Sequence, residues 1–414
     1  MNSKRVWHWV IVSLLIFTSL CLGGWLDRQA IWIQWRYRAY QALQRTNVRQ
    51  PEVMRTALVL VTDEEYWKGE LARRVPLKRD YLAKLLIALE RADPAAIVID
   101  FDLRSPMQDG PLKDHKDYRL ENRKFFEAIR SVSAKCPIVL PAAMQSATNG
   151  EYDVERSIYD GELDCEDCHI GMGYAEVPQD VRRVPIPLRL KDGLLINSLA
   201  SAVVRFVNKD LHQMITRQAV DSNETLPFGS FIPAKSFPVT SATHVLKADP
   251  KLLTSELRQR VVIIGAGWSR LSYGRGGLGE TIVTPAGTMA EVYVQANYIE
   301  ALLDRRTSAA PSDHLAKIIE VFFALAFAWL FSRKDGALIK ALIFLGFLFV
   351  IPIFTYVLLQ NFGIYFDFFI PLVLLGGHAA IEQVIEWRGA ATRERLWEKS
   401  RVFDHERSQN EWWP

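Results

Sequence analysis

Apolar and polar positions divide this chain into two regimes. Four long runs hold almost no charge. Residues 6–26 (VWHWVIVSLLIFTSLCLGGWL) carry none, and residues 315–332 (LAKIIEVFFALAFAWLFS) are apolar beyond Glu320. Residues 337–360 (ALIKALIFLGFLFVIPIFTYVLLQ) carry only Lys340, and residues 364–385 (IYFDFFIPLVLLGGHAAIEQVI) are apolar through the middle. Crossing the hydrocarbon takes about 20 apolar residues, and a single segment satisfies its own backbone there only as a helix. The pattern predicts four transmembrane helices at these bounds. The first run lacks a small-x-small cleavage site, and bulky Leu20 precedes Cys21, so it is expected to stay as an uncleaved anchor.

Between the first two runs the period changes. ALVLVTDE after Pro51 is an apolar run ending in acids, as a buried strand would be. RDYLAKLLIALERADP has a helical period and a Pro stop. AAIVIDFDL is a second strand, FFEAIRSVSAKCP a second helix and IVLPAAM a third strand. Continuous apolar strands alternating with amphipathic helices predict a parallel sheet covered on both faces. Residues 145–169 are polar and poorly periodic. HIGMGY reads as a strand, INSLASAVVRFV as a helix, RVVIIGAG as another buried strand, and TMAEVYVQANYIEALLDRR as a closing helix. Residues 28–46 have the spacing of an amphipathic stalk helix leaving the first run, and residues 221–241 are rich in Pro, Ser and Thr. The expected fold is an α/β domain with a mostly parallel sheet over residues 27–314, plus four transmembrane α-helices.

Charge adds orientation. The formal net charge is only +3, and no basic stripe is interleaved with aromatics, so no nucleic-acid partner is expected. Lys and Arg in short loops mark the cytoplasmic side. The turn Asn361–Gly363 has neither, whereas Arg333, Lys334 and Lys340 flank the other side, and the tail carries Arg388, Arg393, Arg395, Lys399 and Arg401. The tail (386–414) and the N-terminus (1–5) are therefore expected in the cytoplasm of a multi-pass inner-membrane protein, with the large domain extracytoplasmic. Arg28, Arg36 and Arg38 run against this bias. Long translocated domains follow it weakly, so the final hairpin outweighs them.

Candidate chemistry is sparse. Ligands in open parallel sheets collect outside the carboxyl ends of the strands, where Asp63, Glu64, Asp100 and Asp102 fall. These acids are candidate binding residues for a cation or cationic ligand; capping by turn amides is the alternative. GRGGLG at 274–279 spells a dinucleotide fingerprint, but ETIVTP follows it instead of a helix. There is no P-loop, nucleophile elbow or kinase loop set, and no zinc-ligand spacing. The chain is expected to be no enzyme and to need no metal. CEDCH at 165–169 leaves two alternatives open: a short Cys165–Cys168 disulfide, or c-type haem attachment with His169 as axial ligand. Cys136, before a strand, reads as a small core residue.

In order along residues 27–306, WRYR, IVIDFDLRSP, HIGMGYAEVPQDVRRVPIPL, RQRVVIIG, TIVTPAGTM and YVQANYIEALLDRR resemble the second class of CHASE domains, the sensory extracellular modules associated with cyclases and histidine kinases. The three apolar runs that follow resemble the family's usual layout. The family's loop before Thr-Pro commonly carries an Asp, so the resemblance adds Glu280 (or Thr281) to the candidate ligand contacts. Its usual Pro-Gly-Val before the last helix appears here as Ala290, Glu291 and Val292. The resemblance implies a membrane-anchored receptor for a small molecule or envelope protein. That receptor relays through its transmembrane bundle to a separate output protein, because the chain ends in NEWWP instead of a cyclase or kinase; a homodimer is left open. The rivals are a periplasmic haem or redox-sensing module built on CEDCH, and a non-catalytic envelope assembly protein.

Overall fold

The computed structural model describes residues 53–71, 74, 77–103, 116–146, 152–154, 163–221 and 225–268 with short breaks, 281–305 and 337–362, with a few isolated positions elsewhere. Residues 28–46, the runs 6–26, 315–332 and 364–385, the tail and the glycine-rich loop with Glu280 lie largely or wholly outside the described residues. The chain divides into two units. Residues 34–310 with 362–364 form one, and the remaining residues form the other.

In the first unit the strands, in chain order, are β1 Thr56–Val61, β2 Ala96–Asp100, β3 Ile138–Ala142, β4 Met144–Ser146, β5 Tyr152–Val154, β6 Ile170–Tyr174, β7 Arg183–Pro185, β8 Leu188–Arg189, β9 Leu195–Ser198, β10 Thr225–Pro227, β11 Val239–Ser241, β12 Val261–Ala266, β13 Thr281–Thr284 and β14 Gly287–Ala290. The main sheet runs β11-β1-β12-β2-β3-β6-β9-β8. Every pairing in it is parallel except that of β8 with β9. β4–β5, β7–β10 and β13–β14 are small antiparallel pairs.

The helices are α1 Arg79–Glu90, α2 Lys116–Ser133, α3 Leu199–Val207, α4 Lys209–Asp221, α5 Ala242–Lys247, α6 Pro250–Leu257 and α7 Glu291–Leu303. The strand period places Ala57, Val59 and Val61 on the same face as Ile97, Ile99, Val262 and Ile264. That face packs on Leu82, Leu85 and Leu89 of α1, Phe125 and Ile129 of α2, Val245 of α5 and Leu253 of α6. The other face, with Leu58, Val98, Val139 and Ile263, is equally buried and is covered by α3 and α7. The strands lack polar alternation because both faces are dry.

In the second unit the third apolar run falls in α8, Ala337–Phe362, a helix of 26 residues interrupted by Pro352. Thr355 donates its hydroxyl to the Ile351 carbonyl at 2.9 Å. Among the described residues no helix is long and apolar enough to cross a membrane. The side chains of α8 are described without a break only over 13 positions, 345–357.

Candidate functional site

The topology sets three strand ends side by side. β12 lies between β1 and β2. The exits of β1 and β2 lead to α1 and α2 on one face, whereas β12 leads on to α7 on the other. Neighbouring strands whose exits diverge in this way open a cleft at their carboxyl ends, where open α/β sheets bind ligands.

Each of the three strand ends contributes a ring. Tyr66 follows β1 in a π-helical turn, Glu64–Lys68; Phe101 follows β2 and Trp268 follows β12. Trp268 stacks on Tyr66 with centroids 4.2 Å apart and planes 5° apart, and on Phe101 at 5.8 Å and 8°. All three rings are buried, and the Trp268 indole N–H has no hydrogen-bond partner. The sequence reading missed them. The signal was present: an aromatic one to five residues beyond each of three apolar strands.

The acids do not act as one cluster. Strands lie about 4.8 Å apart, so with β12 between them the ends of β1 and β2 are separated by about 10 Å. Asp63 precedes the π-helical turn and accepts from the Trp67 indole at 2.9 Å. Glu64 is exposed and lines a separate groove beside α1. Its neighbour Glu65 is buried and accepts the backbone N–H groups of Thr62 and Thr243, fastening the end of β1 to α5. Asp102 is exposed. Among the described residues no group of three or more His, Cys, Asp or Glu is placed to hold a metal ion.

Asp100 is the distinctive acid. Burial pushes its carboxyl up to about 8, and the charge of Glu291 at the start of α7 adds to the shift. Near neutral pH it is therefore a hydrogen-bond donor rather than a charge. Gly265, opposite Asp100 in the ladder, lets α7 come this close: a Cβ there would stand 2.5 Å from Val292 Cγ2 and 3.7 Å from the Asp100 carboxylate.

CEDCH lies at the opposite end of the sheet, before β6. Cys165 and Cys168 are joined by a disulfide with Cα atoms 5.5 Å apart. His169 is exposed; its N–H donates to the Ser133 carbonyl, and its own carbonyl accepts from Ile138. Cys136 is buried, and burial together with Asp93 and Glu90 pushes its thiol up to about 12.

The fold is a three-layer α/β module with three stacked aromatic rings at the carboxyl ends of β1, β12 and β2. The CHASE2 domain family matches residues 11–332, and the chain belongs to that family of sensory extracellular domains. No curated protein and no solved structure matches the chain.

Proposed function

We propose that this protein is a membrane-anchored sensor. Its α/β domain, outside the cytoplasmic membrane, takes up an envelope signal in the crevice above β1, β12 and β2. The protein passes the resulting change through its membrane helices to a cytoplasmic output partner, with no chemistry of its own. The observation that supports the proposal is the CHASE2 domain itself, with three aromatic rings stacked at the carboxyl ends of β1, β12 and β2.

Membrane anchoring is supported by the four apolar runs and by α8, along which Leu342, Phe349, Val350 and Ile353 are more than half exposed. Such a surface is costly in water and ordinary in lipid.

The ends of the domain constrain the relay. At the start of β1, Thr56 donates both its N–H and its hydroxyl to Glu300 at 2.6 Å. Arg55 donates to the Leu303 carbonyl at 3.2 Å and pairs with Asp304 at 3.7 Å. Entry and exit of the domain are thus tied. A signal that slides one end past the other would have to break these bonds, so a tilt or rotation of both ends together is the favoured motion.

A protease-cleavable tag inserted near residue 150 tests the geography. Cleavage in intact spheroplasts is expected; a tag that survives until lysis removes the extracytoplasmic placement and the sensor reading with it. Cross-linking from the tail in cells identifies the output partner.

A further inference from the structure

Both ends of the domain leave from one face. Arg55 precedes β1 and Asp304 follows α7, and the two pair at 3.7 Å where the main strands begin. Contacts continue across that face. Val261, the first residue of β12, donates its N–H to the Arg55 carbonyl. Arg258, after α6, pairs at 3.6 Å with Asp93 in the turn before β2. Lys135, before β3, pairs at 2.6 Å with Glu90 at the end of α1. The amino ends of β1, β12, β2 and β3 thus form one surface, three strand spacings or about 14 Å across.

The three pairs match acid to cation one to one. Arg91, Arg130 and Arg305 stand beside them in excess. Each is exposed, and none pairs with an acid among the described residues. All three lie at helix carboxyl ends, where the dipole supplies about half a negative charge and an arginine brings a full one. Capping accounts for part of the excess, and a positive surplus remains. At the carboxyl ends of the strands Asp63, Glu64, Asp102 and Glu176 are exposed, beside Lys68. Charge is therefore polarised along the strand direction.

Chain length says what meets the basic face. The apolar run at 315–332 begins ten residues past Arg305, a reach of no more than about 35 Å. Val53, two residues before Arg55, is 70% exposed. An apolar side chain among cations suits a headgroup layer better than open water. Attraction between a basic patch and anionic lipid fades within about 8 Å, so the face has to lie against the membrane to use it, and the short link permits that.

We propose that the amino-end face docks on anionic lipid headgroups, with Arg91, Arg130 and Arg305 against the phosphates. This turns the carboxyl ends of the strands, with Tyr66, Phe101 and Trp268, away from the bilayer. The proposal rests on membrane anchoring and is independent of any role for the rings.

The test uses the full-length chain in lipid nanodiscs of phosphatidylcholine, alone or with phosphatidylglycerol. The photo-cross-linker benzoylphenylalanine replaces Ala134, exposed between the end of α2 and Lys135, or replaces Glu64 at the far end of the domain. Cross-linking to lipid is expected from position 134 and not from position 64, and several-fold more with phosphatidylglycerol. It should fall about tenfold or more in the triple variant Arg91→Gln, Arg130→Gln, Arg305→Gln. These three side chains are exposed, so the fold is expected to persist, as an unchanged thermal midpoint would show. Lipid cross-links that are absent from position 134, equal from position 64, equal in the two lipids or unchanged in the triple variant overturn the proposal and leave anchoring intact. A chain that does not co-elute with the discs overturns both.

Discussion

Asn297 has no exposure at all, in the middle of α7. Its Oδ1 accepts from the Ile232 N–H at 2.6 Å, and its Nδ2 donates to the Ile232 carbonyl at 3.1 Å. The side chain thus stands in for a strand partner. Asn297→Leu leaves both backbone groups buried and unpaired, with an expected cost of about 2–4 kcal/mol, read as a lower thermal midpoint of the full-length chain. Asp100 carries the pH dependence. Its folded value of about 8 lies above the ordinary 3.8. Between these values the folded chain holds a proton that the unfolded chain has lost, so stability declines as pH rises from about 4 to about 8. Asp100→Asn is expected to flatten that slope and to stabilise the fold by about 2 kcal/mol at pH 8. Part exposure of the side chain keeps the gain below the full shift. Denaturant titrations at pH 5 and pH 8 check this; an unchanged slope would place the titration elsewhere. Asp100 was legible as a strand-end acid. Its raised pKa was not, because tertiary burial causes most of the shift and Glu291 adds to it from nearly 200 residues along the chain.

Elements show where local pattern stopped short. INSLASAVVRFV reads as one helix, but α3 begins only at Leu199, because Ser198 caps it. Ser198 Oγ accepts from the Ser201 N–H at 3.1 Å and donates to the Pro185 carbonyl at 2.6 Å. The residues before it pair with β6. Ser198→Ala is expected to lower stability by about 1–2 kcal/mol, measurable as a shifted unfolding midpoint. The glycines of HIGMGY permit this packing. A Cβ at Gly173 would meet Ser198 backbone atoms at 2.6 Å, so Gly173→Ala is expected to cost about 1–3 kcal/mol through forced backbone movement; a midpoint within error of the parent would refute the close approach. Similarly, the start of TMAEVYVQANYIEALL is taken by β14, paired with β13, before α7 begins. The edge strand β11 hides in the Pro-, Ser- and Thr-rich segment. An edge strand pairs on one side only, and Val239 of β11 is 48% exposed, so it shows no apolar run.

Across the whole domain, α7 acts as a hub. Gln295 donates to the Ala175 carbonyl at 2.5 Å, Tyr298 to the Val181 carbonyl at 3.1 Å, and Glu300 accepts from Thr56. These polar residues lie on a helix that is buried almost all round, each fastening a different segment to it. Thr56→Val removes the hydroxyl from the tie between the domain's ends, with an expected loss of about 1–2 kcal/mol. If the ends move as one body, the same change should raise the proteolytic sensitivity of residues 53–56 and 300–305 together; cleavage at one end alone would separate them. The chain's own pattern determined the alternation of strands and helices, the parallel sheet and the four apolar runs. These follow from burial on both faces and from lipid-length hydrophobicity, which are written residue by residue. Only the tertiary structure decided that β12, last of the main-sheet strands in the chain, inserts between β1 and β2. That insertion stacks Tyr66, Trp268 and Phe101 and sets Glu291 against Asp100. Strand order is fixed by packing between residues far apart in sequence, and no local period encodes it.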